Sequence, residues 1–266
     1  MNLFRSAASG LAALVLAGLF LAACGTSNLG TGTPPATVAS PSLPPPKDAF
    51  LASLKALSQT SSDLMLKQGE GSGTAKVDPA TKSAAVSMSG VVEGTNIKID
   101  LIAIDPDVWL KLDFGAAGNR QLRINPTKWM KIDKAKVTSD TAFPIDLKSS
   151  SDVLDLPDLF VGLGEVQRTD STHYSGTVDL TKAGGVSALS QDDLKKLGDK
   201  ASSTPFTAVL DGQGRLMSFK IDTTAVDATL TTELTVNSYG SAATITKPAA
   251  ADVVPAPAAL YQLLNS

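Results

Sequence analysis

The sequence predicts one α+β domain, spanning about residues 47–255, behind an N-terminal leader and a tether. Three observations carry this reading. A helical spacing of apolar residues follows Lys47. After the glycines at 69, 71 and 73 the spacing changes to two and stays there through most of the chain. No second Pro/Ser/Thr-rich linker and no repeat of 20–50 residues divides the remainder of the chain.

Composition narrows the function classes. The 266 residues carry 23 Lys+Arg against 26 Asp+Glu, a net charge of −3, which argues against a nucleic-acid binder. One Cys excludes an intramolecular disulfide, and one His beside it makes an all-protein zinc cage implausible. Hydrophobic residues make up 43% but aromatic ones only 5%, so the core must rest on Val, Leu, Ile, Ala and Met.

Arg5 is the only charged residue before Lys47. The apolar run Leu11–Ala23 has 13 residues, short of the roughly 20 that span a bilayer. A basic start, a short apolar core and a small-residue end predict a secretory signal over residues 1–23. Its end, Leu21-Ala22-Ala23-Cys24-Gly25, matches a bacterial lipobox, so Cys24 is expected to carry thioether-linked diacylglycerol and to become the first mature residue. Two acyl chains anchor stably where one is marginal. Loss of Arg5 with the leader takes the net charge from −3 to −4, so the acyl chains and not surface charge must hold the protein to the membrane. The expected location is the extracytoplasmic face of the cell membrane. Of the 22 residues from 25 to 46, sixteen are Pro, Gly, Ser or Thr and none is charged. That composition buries too little to fold. As a coil it reaches about 25 Å.

In the domain, Asp48 is read as an N-cap, with Phe50, Leu51, Leu54, Leu57, Leu64 and Met65 as a helical stripe ended by Gly69. Strands are expected at 74–77, 83–92, 96–104, 108–112 and 128–132. Ile97, Ile99 and Leu101 alternate with Lys98 and Asp100, which marks an antiparallel sheet covered on one side. Residues 151–163 read as a short helix, then strands at 166–169 and 173–180. Ser190 to Asp193 forms a loose capping box for a helix through Leu194 and Leu197. Residues 206–210, Asp211-Gly-Gln-Gly214 and 215–222 give a hairpin, and 228–239 a long last strand. Residues 256–266 are expected as a short tail. The count is about ten strands.

No catalytic constellation stands out, and neither an enzyme nor a bound cofactor or metal is expected. Gly69-Glu-Gly-Ser-Gly73 has its serine misplaced for a nucleophile elbow, and Gly162-Leu-Gly164 lacks the third glycine of a dinucleotide fingerprint. His173 reads as an exposed strand residue. Asp152, Asp155 and Asp158 lack the glycine and bidentate glutamate of a calcium loop. Asp192 and Asp193 suit a helix first turn. Strands rich in small residues, as at 83–90 and 228–232, either leave room for an apolar guest or reflect an alanine-rich composition.

The element order, with Trp109-Leu-Lys, Lys128-Trp-Met-Lys-Ile-Asp133, Tyr174-Ser-Gly-Thr-Val-Asp-Leu180 and Phe206 to Leu216, resembles the LppX/LprG-type envelope lipoproteins of mycobacteria and other actinobacteria, which share the LolA/LolB-like fold. The resemblance implies a strongly curved antiparallel sheet, an incomplete barrel, with helices over its concave face. It implies a cavity for the acyl chains of a lipid or lipoglycan that is carried or presented across the envelope, in some members with an exporter as partner. The inward-facing candidates are Val86, Met88, Ile97, Ile99, Leu101 and Leu110, with Met130, Phe219, Ile221, Leu230 and Leu234 on later strands. A monomer is expected. The other reading is a non-carrying sensor or accessory subunit of an envelope transporter.

Overall fold

The computed structural model describes residues 43–92, 94–137, 160–183, 189, 191–241 and 244–265. Within the compact unit Leu43–Ser266, helix α1 (Pro46–Gln59) leads into a meander of five strands. These are β1 (Ser62–Gln68), β2 (Gly71–Asp78), β3 (Ser83–Val92), β4 (Thr95–Ile104) and β5 (Asp107–Asp113). Helix α2 (Gly115–Leu122) and β6 (Trp129–Ile132) follow. Next come β7 (Leu163–Arg168), β8 (His173–Val178), α3 (Gln191–Leu197), β9 (Thr204–Leu210), β10 (Leu216–Ile221) and β11 (Thr232–Tyr239). The chain closes with β12 (Val253–Pro255) and α4 (Ala258–Leu264).

All twelve strands join one open sheet, in the order β12-β6-β5-β4-β3-β2-β1-β11-β10-β9-β8-β7. The pairing of β1 with β11 unites the two meanders. Every pairing is antiparallel except β12 with β6, which is parallel and so departs from the all-antiparallel expectation. Among the described residues the architecture is α+β, with one open twelve-stranded sheet and four α-helices.

Alternation along each strand and register between strands build one apolar face. Leu64 on β1 lies opposite Ala75, and the row continues through Val86, Leu101, Leu110 and Met130 to Val254 on β12. In the other half Phe219 lies between Ala208 and Leu234, and Ile221 opposite Phe206.

Helix α1 packs on this face. Its buried residues Phe50, Ser53 and Leu57 recur at helical spacing. The Phe50 ring, fully buried, stacks on Phe206 at 5.4 Å, lies 6.0 Å from Phe219 and meets Phe160 edge-on at 5.8 Å. Such pairs add to the burial term.

Several elements differ from the sequence expectation. The first helix stops at Gln59, and Leu64 and Met65 belong to β1. Thr60 is extended, and Gly69, at φ 55°, starts the turn into β2. Asp48 lies in the first turn and Pro45 holds the N-cap position, with proline beginning the helix. The last long strand begins at Thr232, because Asp227 accepts a hydrogen bond from the Thr229 amide and folds 228–230 into a 3-10 turn. Residues 256–266 are more than a tail: α4 buries Leu260 and Leu264 completely. The expected helix at 151–159 lies outside the described residues, while 160–162 form a turn and Leu163 begins β7.

Candidate functional site

The apolar face is unevenly covered. In its central row Leu64, Val86, Leu101 and Leu110 are buried. One row over, Leu66, Met88 and Ile99 are only half-buried, as is Ile97 beyond them. Glycines share these rows: Gly73 lies opposite both Leu66 and Met88, and Gly90 opposite Ile97. A Cβ on Gly73 would stand 3.0 Å from Met88 Cγ, so the methionine side chain lies over the space the glycine leaves. Val92, at the same end of β3, is exposed.

The eleven sequence-derived candidates fall into three sets. Val86, Leu101, Leu110, Met130, Phe219, Ile221 and Leu234 are at most 4% exposed and packed in the core. Met88, Ile97 and Ile99 form the half-buried stretch. Leu230 sits in the 3-10 turn before β11. Cys24 lies outside the described residues.

Two cavities are described, and none of the eleven lines either. The first, about 270 Å³, separates α1 from the turn at Phe160–Val161. Leu51, Leu54, Lys55 and Ser58, one face of α1, form one wall, with Leu57 at its base. Sequence reasoning found the leucine stripe but not the opposing wall, which lies over 100 residues away in the stretch 151–163 that reads only as a short helix.

The second cavity, about 700 Å³, lies at the β6–β12 margin and is bounded by Lys131 to Lys136, Val253 to Ala256 and Tyr261. Its charges are largely satisfied within the chain. Lys131 pairs with Asp107 at 2.8 Å and Lys136 with Asp133 at 3.5 Å. The Asp133 amide donates to the Tyr261 hydroxyl at 2.8 Å. It went unforeseen because α4, which supplies Tyr261, was expected as a tail.

The described polar candidates make local pairings. His173 is exposed at the start of β8, with Nδ1 2.8 Å from Asp170 Oδ2. The Thr172 amide, followed by His173, holds the Asp170 carboxyl well below the usual carboxylate range. Asp192 and Asp193 sit in the first turn of α3 and pair with Lys195 and Lys196. Gly69–Gly73 spans the β1–β2 hairpin turn. Asp152, Asp155 and Asp158 lie outside the described residues. Among the described residues no group of three or more His, Cys, Asp or Glu is placed to hold a metal. Among them, too, no helix is long and apolar enough to cross a membrane.

No family model matches the chain, and no curated protein matches it. Among solved structures, a hypothetical protein from Chlamydia trachomatis aligns with 73% of this chain and 95% of its own, at 10% identity and a TM-score of 0.29.

Proposed function

We propose that this protein is a lipid-anchored envelope lipoprotein of the LppX/LprG kind, held to the membrane through Cys24, that carries or presents a lipid or lipoglycan by sheltering its acyl chains. In this reading the sheet is curved, its apolar face is the concave one, and the helices shelter the guest against it. The observation that carries the reading is the half-buried stretch Leu66, Met88, Ile97 and Ile99 on an otherwise buried apolar face. Each CH₂ taken from water there contributes about 0.8 kcal/mol, so an acyl chain is held without a charged contact. The protein performs no bond chemistry; it supplies a dry surface beside a fixed tether.

The test has two arms. Cys24→Ala should release the protein from membranes on fractionation; a variant that remains as firmly bound as wild type refutes the anchor. The chain carrying Cys24→Ser is then examined by native mass spectrometry and solvent extraction. Co-purifying lipid, reduced in Met88→Trp and Ile99→Trp, supports the carrier. A clean unliganded mass with no uptake from phospholipid vesicles refutes it.

A further inference from the structure

The cleft between α1 and Phe160–Val161 has a chemical asymmetry. Among the described residues its walls are aliphatic and aromatic apart from Ser58, and the one charged side chain is Lys55. Several described lysines, among them Lys128, Lys131 and Lys182, are paired with carboxylates. Among the described residues, no carboxylate or carbonyl pairs with the Lys55 ammonium. The position is exposed, so the charge remains solvated and available. Leu51 and Val161, 43% and 63% exposed, form apolar lips beside it.

Size limits what enters. The cleft is about 270 Å³, whereas a cavity of roughly 150 Å³ takes a six-carbon ring. On that scale it holds one aliphatic chain of roughly ten to twelve carbons. Two or three chains side by side do not fit.

We infer that this cleft binds a single-chain carboxylate amphiphile, a fatty acid, with its chain between Leu54 and Phe160 and its carboxylate at the Lys55 ammonium. The inference rests on the acyl-binding reading and deepens it: it adds a site off the half-buried stretch, with a preference for one chain and a negative head. Charge complementarity at the rim carries the head-group preference, and the narrow apolar walls carry the chain preference.

The test titrates the Cys24→Ser chain, which has no acyl chain of its own, with laurate and with dodecanol at neutral pH. The expected result is saturable one-to-one laurate binding, about fivefold tighter than dodecanol, the upper range for a solvent-exposed ion pair. Lys55→Gln should abolish the difference while leaving dodecanol affinity unchanged. Val161→Asp, at an exposed position that tolerates charge, should weaken laurate further. Equal binding of laurate and dodecanol to wild type overturns the inference, as does a preference that survives Lys55→Gln. Lipid that co-purifies and is lost in Ile99→Trp, with no laurate binding, overturns this inference and leaves the carrier intact. Absence of any apolar ligand in every arm overturns both.

Discussion

The Lys47 ammonium lies 3.1 Å from the carbonyl oxygen of Leu163, and it donates to Gly164 at the same distance. Both acceptors lie on β7, the last strand of the sheet. At the other end of that strand, Arg168 Nη2 donates to the Pro44 carbonyl at 3.0 Å. The residues that lead into α1 are therefore fastened to a sheet edge formed more than 100 residues later. Lys47→Met should cost about 1 kcal/mol, since the two bonds are charge-assisted, one partly buried and one solvent-exposed. For a domain of this size that lowers Tm by roughly 2–4 °C. Hydrogen exchange should show the loss of protection concentrated in β7 and the first turn of α1.

Phe50→Ala should destabilise the domain by about 3–5 kcal/mol, because the cavity it leaves is ringed by Phe160, Phe206 and Phe219. Denaturant unfolding measures the loss. Near-ultraviolet circular dichroism should fall with it, since Phe50 also lies 6.4 Å from the Tyr174 ring and its loss loosens that aromatic contact.

Gly176 on β8 lies beneath the Phe206 ring: a Cβ there would stand 2.7 Å and 2.9 Å from two of its ring carbons and would overlap the Glu165 carbonyl oxygen. Gly176→Val should therefore displace Phe206, which itself stacks on Phe50. The expected result is a loss of at least the 1–3 kcal/mol typical of overpacking, read as a lower denaturation midpoint. An unchanged midpoint would contradict the packing described.

Asp100 gives the fold a defined acid limit. Burial pushes its carboxyl pKa up, but the Ser87 hydroxyl at 2.7 Å and the Lys111 and Lys98 ammonium groups outweigh it, and the net shift is downward. A carboxyl with a lowered pKa binds fewer protons folded than unfolded. Its contribution is thus full above the usual value of about 3.9 and is lost as pH falls through the lower, folded value. Asp100→Asn should lower stability at neutral pH and flatten this acid limb in a series of thermal melts.

Much of the sheet was legible from alternation alone. Ile97-Lys98-Ile99-Asp100-Leu101 places β4, and the Asp211 turn places the β9–β10 hairpin, where Asp211 accepts from the Gln213 and Arg215 amides. β1 was not legible, because Leu64 falls seven residues after Leu57 and Met65 joins it in extending the helical stripe, and only register with β2 and β11 reveals a strand. β12 has three residues and exists by its pairing with β6, which no local pattern announces. α4 rests on two buried leucines at 260 and 264, too few to stand out from a tail. Of the cleft, the helical wall was readable and the Phe160–Val161 wall was not, since their meeting is a tertiary event.

The two margins of the sheet have a bearing on crowding. Three successive prolines, 44 to 46, come just before the lysine fastened to β7, and a proline offers no backbone donor. At the opposite margin β12 is three residues long and ends in Pro255. The β12 border therefore presents only a short row of backbone amide and carbonyl groups to a neighbour. Copies that meet at high concentration along the β12 border can therefore touch there without zipping into a continuous intermolecular sheet.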